Sequence, residues 1–231
     1  MQKLWWISWV VGSAIVSTHE RAIAQPDAIF RPIVSQIESA APVGWKVRLP
    51  AAIKLTGYEG KVIKLYGVSE GFSNSTFRVA LNSQPNCQAR ACMVGFLSSQ
   101  RGNGGFDDSL SEPILSKADL SKIRAIRQRS YQTWTDADRA LMQKGEGAIL
   151  ERSAVDLGSG IKGTFIVRNG MGASTPPRLV LTWKQDRQIY TVSWGAALQD
   201  GQVTSTKRQE IVGVARSMVS ENPIAGKASF Y

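Results

Sequence analysis

The sequence predicts an α+β fold: an antiparallel β-sheet with a packed C-terminal helix and a helical insertion. Three observations carry this. Between Ser153 and Trp194, four runs of alternating or β-branched residues follow one another across short gaps. A parallel crossover needs more chain than those gaps supply, so they mean antiparallel hairpins. Ile211, Val214, Ala215, Met218 and Val219 recur at helical spacing and form one buried stripe near the C-terminus. Between the two strand-rich blocks, residues from about 100 to 148 carry helical patterns and breakers instead. Strands in runs with helices set apart are the pattern of α+β rather than of alternating α/β folds.

Taken in order, Gln25 to Ala41 opens with a short helix. Pro32 fits its first turn, and Ile33, Ile37 and Ala41 share a face until Pro42-Val43-Gly44 stops it. Lys46 to Leu49, Val62 to Tyr66 and Thr76 to Leu81 then alternate as strands. Cys92 to Leu97 forms another, ended by Ser98 and Ser99. Arg101 to Asp108 is rich in glycine and aspartate and reads as a loop. Ala118 to Tyr131 is a helix with a stripe of Leu120, Ile123 and Ile126. Thr135 caps a second helix with Asp136 and Asp138 in its first turn, and Gly145 stops it. The four later strands are Ser153–Leu157, Thr164–Arg168, Arg178–Trp183 and Gln188–Trp194. Trp183, Tyr190 and Trp194 are expected to fill the core between sheet and helix. Thr206 and Gln209 form a capping box for the last helix, which Asn222-Pro223 ends.

The N-terminus sets the compartment. Lys3, the apolar run Leu4–Val16 and the small-x-small triplet Ala22-Ile23-Ala24 are the three parts of a secretory signal. The expected layout is a signal peptide at 1–24, cut after Ala24, and a single α+β domain at 25–231. The run is shorter than the about 20 apolar residues of a spanning helix. No cysteine follows it to take a lipid anchor. The working domain is therefore expected outside the cytoplasm, in periplasm, thylakoid lumen or medium. The chain holds 28 Lys and Arg, 18 Asp and Glu, and one His, for a net charge of +10. Removing Lys3, Arg21 and Glu20 leaves +9, and removing His19 leaves no imidazole. Histidine alone titrates near neutrality without a shifted pKa. Catalytic triads, Cys-His dyads and His-bearing zinc sites are thus excluded for the mature domain.

Cys87 and Cys92 are the only cysteines. In an oxidising compartment a close even pair reads as a disulfide, here closing a tight loop between strands. A redox pair normally has two intervening residues, and a zinc site needs two further ligands that the chain does not offer. No metal and no cofactor is expected. Gly158-x-Gly160-x-x-Gly163 matches the dinucleotide fingerprint as a string. That chemistry needs a helix N-terminus next, and Thr164-Phe-Ile-Val reads as a strand. Ser159-x-x-Lys162 lies among glycines between strands, where helical spacing does not bring the two together. Asp107-Asp108 reads as loop and Asp136/Asp138 as a cap rather than as paired catalytic carboxylates. No catalytic residue is assigned.

The most suggestive segment is Ala118 to Trp134. Lys122, Arg124, Arg127 and Arg129 flank the apolar stripe, and Tyr131 and Trp134 follow. A surface helix with this arrangement holds an anionic membrane or an acidic polysaccharide. It equally describes an ordinary helix packed by its stripe and solubilised by its charges. Nucleic acid is not expected, because the protein is exported and its strands show no regular basic–aromatic pattern.

Phe77-Arg-Val-Ala-Leu81 followed by Pro85-Asn-Cys87-Gln-Ala-Arg-Ala-Cys92-Met-Val-Gly95 resembles a class of uncharacterised exported cyanobacterial proteins with a strand-linked C-x4-C loop. The likeness extends to Leu49-Pro50 after a short helix and to Gly160–Gly163, Trp183, Tyr190 and Ile211–Met218. It implies no activity and no ligand. This chain departs from the pattern in its helical segment 110–145 and in Gly172-Ala-Ser174, where the class implies a second disulfide. The sheet with a terminal helix is also similar to photosystem assembly proteins of the lumen, in architecture only. The leading expectation is a non-catalytic exported domain that binds a partner or serves the envelope. A peripheral binder of anionic membrane or polysaccharide through helix 118–134, and a hydrolase without histidine, stand beside it.

Overall fold

The computed structural model describes residues 26–56, 63–73, 75–85, 87, 92–102, 111–170, 177–195 and 203–227. Residues 1–24, expected to be a signal peptide, and Val62, Asp107-Asp108 and Gly172–Ser174 lie outside the described residues. In chain order the elements are α1 (Arg31–Ala40), β1 (Lys46–Val47), β2 (Tyr66–Ser73), β3 (Thr76–Asn82) and β4 (Met93–Arg101). Then come α2 (Lys117–Arg127), α3 (Asp136–Gly145), β5 (Ile149–Gly158), β6 (Ile161–Arg168), β7 (Arg178–Gln185), β8 (Gln188–Gly195), α4 (Ser205–Ser220) and β9 (Ile224–Ala225).

The fold is α+β with an antiparallel sheet. Seven strands run in the order β2-β3-β4-β8-β7-β6-β5, so two meanders meet where β4 pairs with β8. β1 and β9 form a separate two-stranded ribbon. Short turns close the second meander. Asp186 and Arg187, both at positive φ, join β7 to β8; Ser159 and Gly160 do the same between β5 and β6. Two successive residues at positive φ give the turn whose twist matches that of flanking strands.

Alternation along the strands decides what each face meets. Phe77, Val79, Leu81, Leu97, Leu181, Trp183, Tyr190, Val192 and Trp194 point into one core. Helix α4 covers them with Ile211, Val214, Ala215 and Met218, and α1 adds Ile33 and Ile37. Each such side chain contributes about 1.5–3 kcal/mol by leaving water, so the core side of the sheet is fixed by many independent residues. Arg78, Ala80 and Asn82 alternate with the core residues of β3, and Ala80 faces Phe96 across the β3–β4 ladder.

Several boundaries differ from the sequence reading. Tyr66 begins β2 rather than ending a strand, and β2 continues through Gly67, Ser69 and Gly71, weak strand formers held by pairing with β3. A bulge between Ser69 and Gly71 bends this edge strand, and Gly71 takes φ +84° there. β4 does not stop at Ser98 and Ser99. It runs to Arg101, because β3 and β8 flank it and satisfy its backbone on both sides. The strand-rich blocks therefore reach Arg101 on one side and resume at Ile149 on the other. Helix α2 ends at Arg127, and Tyr131–Thr133 is a separate 3-10 turn. Thr204, not Thr206, caps α4: its hydroxyl accepts from the Lys207 N–H, and Thr206 already lies in the first turn. Thr135 caps α3 as read from the sequence, and Asp138 completes a capping box with it.

Helices α2 and α3 enclose a second, small cluster of Leu115, Ile123, Ile126 and Met142, with Trp134 and Leu150 against it. Asn169, at the end of β6, anchors this hairpin to the sheet. Its Nδ2 donates to the Gly145 carbonyl at 2.6 Å, and its N–H donates to the Ala148 carbonyl at 2.9 Å. No described helix is long and apolar enough to cross a membrane.

Candidate functional site

The face of β2, β3 and β4 turned away from α1 and α4 carries a groove of about 700 Å³. Its floor follows from the pleat. Val68 of β2 sits opposite Ala80 of β3, and Ala80 opposite Phe96 of β4. The small Ala80 side chain between two larger neighbours leaves the depression. Asn82 and Met93, paired across β3 and β4, continue it toward Cys87. The Asn82 Nδ2 donates to the Cys87 carbonyl, so this end of the groove is tied to the cysteine loop.

Arg78 forms one wall. Its Nε lies 2.9 Å from Glu70 Oε2, its guanidinium sits 4.2 Å from the centre of the Phe96 ring, and an Nη2 proton points at Met93 Sδ at 3.5 Å. Both partners of the Arg78–Glu70 pair are more than a third exposed, so the pair adds little stability. Its effect is orientation: carboxylate, ring and thioether hold the guanidinium in one place. Arg178, the first residue of β7, closes the opposite side.

The acidic and thiol groups of the groove are engaged. Glu70 is paired with Arg78, and Cys87 lies at disulfide distance from Cys92 with their Cα atoms 6.3 Å apart. The arrangement is suited to holding a molecule. Among the described residues, no group of three or more His, Cys, Asp or Glu is gathered as metal ligands.

The cationic segment expected at 118–134 is placed as follows. Lys122 and Arg124 are exposed on α2. Arg127 is half-buried and turned to Asn169, with Nη2 3.5 Å from Oδ1. Arg129 is paired with Asp138 at 2.8 Å. Tyr131 is 66% exposed and rests against the Trp134 ring at 4.9 Å, while Trp134 itself packs on the small cluster. Structural contacts thus engage Arg129 within the hairpin, Arg127 with Asn169 at the end of β6 and Trp134 with the small cluster. Asp138 is held below the ordinary carboxylate range by the Thr135 backbone N–H and by Arg129, and Asp136 pairs with Arg139. Gly158 and Gly160 are turn residues followed by strand β6, so no helix N-terminus follows the glycine string. Ser159 lies in that turn and Lys162 in the strand.

Sequence reasoning did not find the groove. β2 is too poor in β-formers to be seen, and without it Glu70 and Val68 have no address. The available signal was in β3, where Arg78, Ala80 and Asn82 alternate with Phe77, Val79 and Leu81. A lone cation beside a small residue on the non-core face of a central strand marks a place where something else can sit. No protein-family model matches this chain, and no curated protein is similar to it.

Proposed function

We propose that this is an exported, non-catalytic binding domain that holds its ligand in the groove over β2, β3 and β4. The observation that carries the reading is the groove itself: about 700 Å³, floored by Ala80 and Phe96, with Arg78 fixed by Glu70. Concave sites of this size, apolar with a few placed polar groups, are where proteins bind small molecules. Export is supported by the signal-like N-terminus and by the Cys87–Cys92 pair, which suits an oxidising compartment. The test is ligand-observed NMR with a library of acidic, basic and neutral aromatic fragments, on the purified protein and on Ala80→Trp. The tryptophan fills the groove from its floor. Fragments should bind the parent and be lost from the variant, whose folding is checked by its thermal transition. Equal binding to both proteins overturns the proposal. If Ala80→Trp does not fold, Val68→Trp blocks the same space from the edge strand.

A second reading is favoured by one observation. Tyr131 stands exposed on the helical hairpin that also exposes Lys122 and Arg124. Such a surface binds anionic membrane or polysaccharide. Co-sedimentation with vesicles containing about one-third phosphatidylserine, at low and high salt, tests it. Salt-sensitive binding that Lys122→Glu with Arg124→Glu removes supports it, and no binding at low salt ends it.

A further inference from the structure

We infer that the groove takes a monocarboxylate with an apolar body, and that Arg178 holds the carboxylate. The inference rests on the binding reading above and adds the chemical class of the ligand. Charge is the first argument. Arg78 and Glu70 neutralise each other within the groove. Arg78 is further occupied by the Phe96 ring and Met93 Sδ, so it serves as a fixed wall. Arg178 is exposed, and no described carboxylate pairs with it. Among the described residues the groove therefore carries one uncompensated positive charge, which one anionic group balances.

Position is the second argument. The cross-strand neighbour of Arg178 on β8 is Gly195. Neighbouring strands lie about 4.8 Å apart, so β4 is two strand spacings from Arg178. A larger residue at 195 would stand between them; glycine leaves the path open, and Arg178 lines the groove across it.

Shape is the third argument. A guanidinium is a planar fork that fits a carboxylate through two parallel N–H···O bonds. A phosphomonoester brings about 1.5 to 2 negative charges, more than the groove balances. The groove's lining mixes polar groups (Ser69, Glu70, Arg78, Asn82) with Val68, Ala80, Met93 and Phe96, which give an apolar body something to rest on. At about 700 Å³ the space suits a small organic acid.

The experiment titrates the protein with 4-phenylbutyrate, its primary amide and phenyl phosphate, followed by amide chemical shifts of labelled protein. The parent, Arg178→Gln and the folded groove-blocking variant are compared. The acid is expected to bind, with the amide weaker by about tenfold, the low end of what a charge-assisted hydrogen bond supplies. Arg178→Gln is expected to lower the acid to the level of the amide and to leave amide binding unchanged. Acid and amide binding equally, with both lost on blocking the groove, would overturn the carboxylate assignment and leave the groove reading intact. Phenyl phosphate binding more tightly than the acid would overturn it as well. Absence of binding by all three probes, or binding indifferent to blocking, overturns the carboxylate assignment and the groove reading together.

Discussion

Arg48 shows how one residue ties the fold together. It is 9% exposed, and its guanidinium donates to the carbonyls of Val219 and Glu221 at the end of α4 and to Asp186 in the β7–β8 turn. The last carbonyls of a helix have no intrahelical donors, so a buried cation there supplies them and meets the negative end of the helix dipole. Lys46 adds a second contact to Asp186 at 3.2 Å, and Tyr190 donates its hydroxyl to the Lys46 carbonyl. For Asp186, burial pushes the pKa up, but hydrogen bonds from Arg48 and Lys46 outweigh it and hold the carboxyl below its ordinary 3.8. A depressed acid stabilises the fold above its unfolded pKa and loses that contribution as pH falls through the folded value. Asp186→Asn should therefore destabilise the protein at pH 7 by about 1–3 kcal/mol. In urea melts at several pH values, the gap from the parent should narrow as pH drops below about 4. A gap independent of pH would mean that the charge of Asp186 does not matter. The Arg48 cluster was not legible in the sequence: its members come from four separate stretches, and only the fold brings residues 46–48, 186 and 219–221 together.

At the scale of elements, what was readable is what is local. The apolar stripe of α4, the Thr135 cap of α3 and the hairpins of β5 to β8 are each specified by residues a few positions apart, and each stands as read. β2 was illegible because its glycines and serines carry no strand preference; β3 supplies the order. The extension of β4 past Ser98 has the same origin. Gly95 marks the seam between the two meanders. A methyl group there would lie 2.5 Å from the Ser193 carbonyl oxygen and 2.5 Å from the Trp194 ring. Glycine within a strand is found where another chain approaches this closely. Gly95→Ala should push β4 and β8 apart and cost about 1–3 kcal/mol, read as a lowered denaturant midpoint. An unchanged midpoint would show that the seam can relax.

The whole molecule divides its labour between the two faces of one sheet. The core face, with α1 and α4, holds most of the buried apolar side chains and all three aromatics expected there, Trp183, Tyr190 and Trp194. Stability is therefore concentrated on one side, and the other side of β2, β3 and β4 is free to vary in chemistry. The groove combines residues from β2, β3, β4 and β7 with Cys87, which explains why no short motif announced it. The cationic helix had such a local signature, yet the structure uses Arg127, Arg129 and Trp134 to hold the hairpin together and to the sheet. The central claim is that binding happens on the sheet. Mapping amide shifts of the labelled protein with the fragments that bind it tests this most directly. Perturbations are expected at Val68–Glu70, Arg78–Asn82 and Met93–Phe96. Perturbations confined to Lys122–Arg139, or spread without focus over the surface, would contradict it.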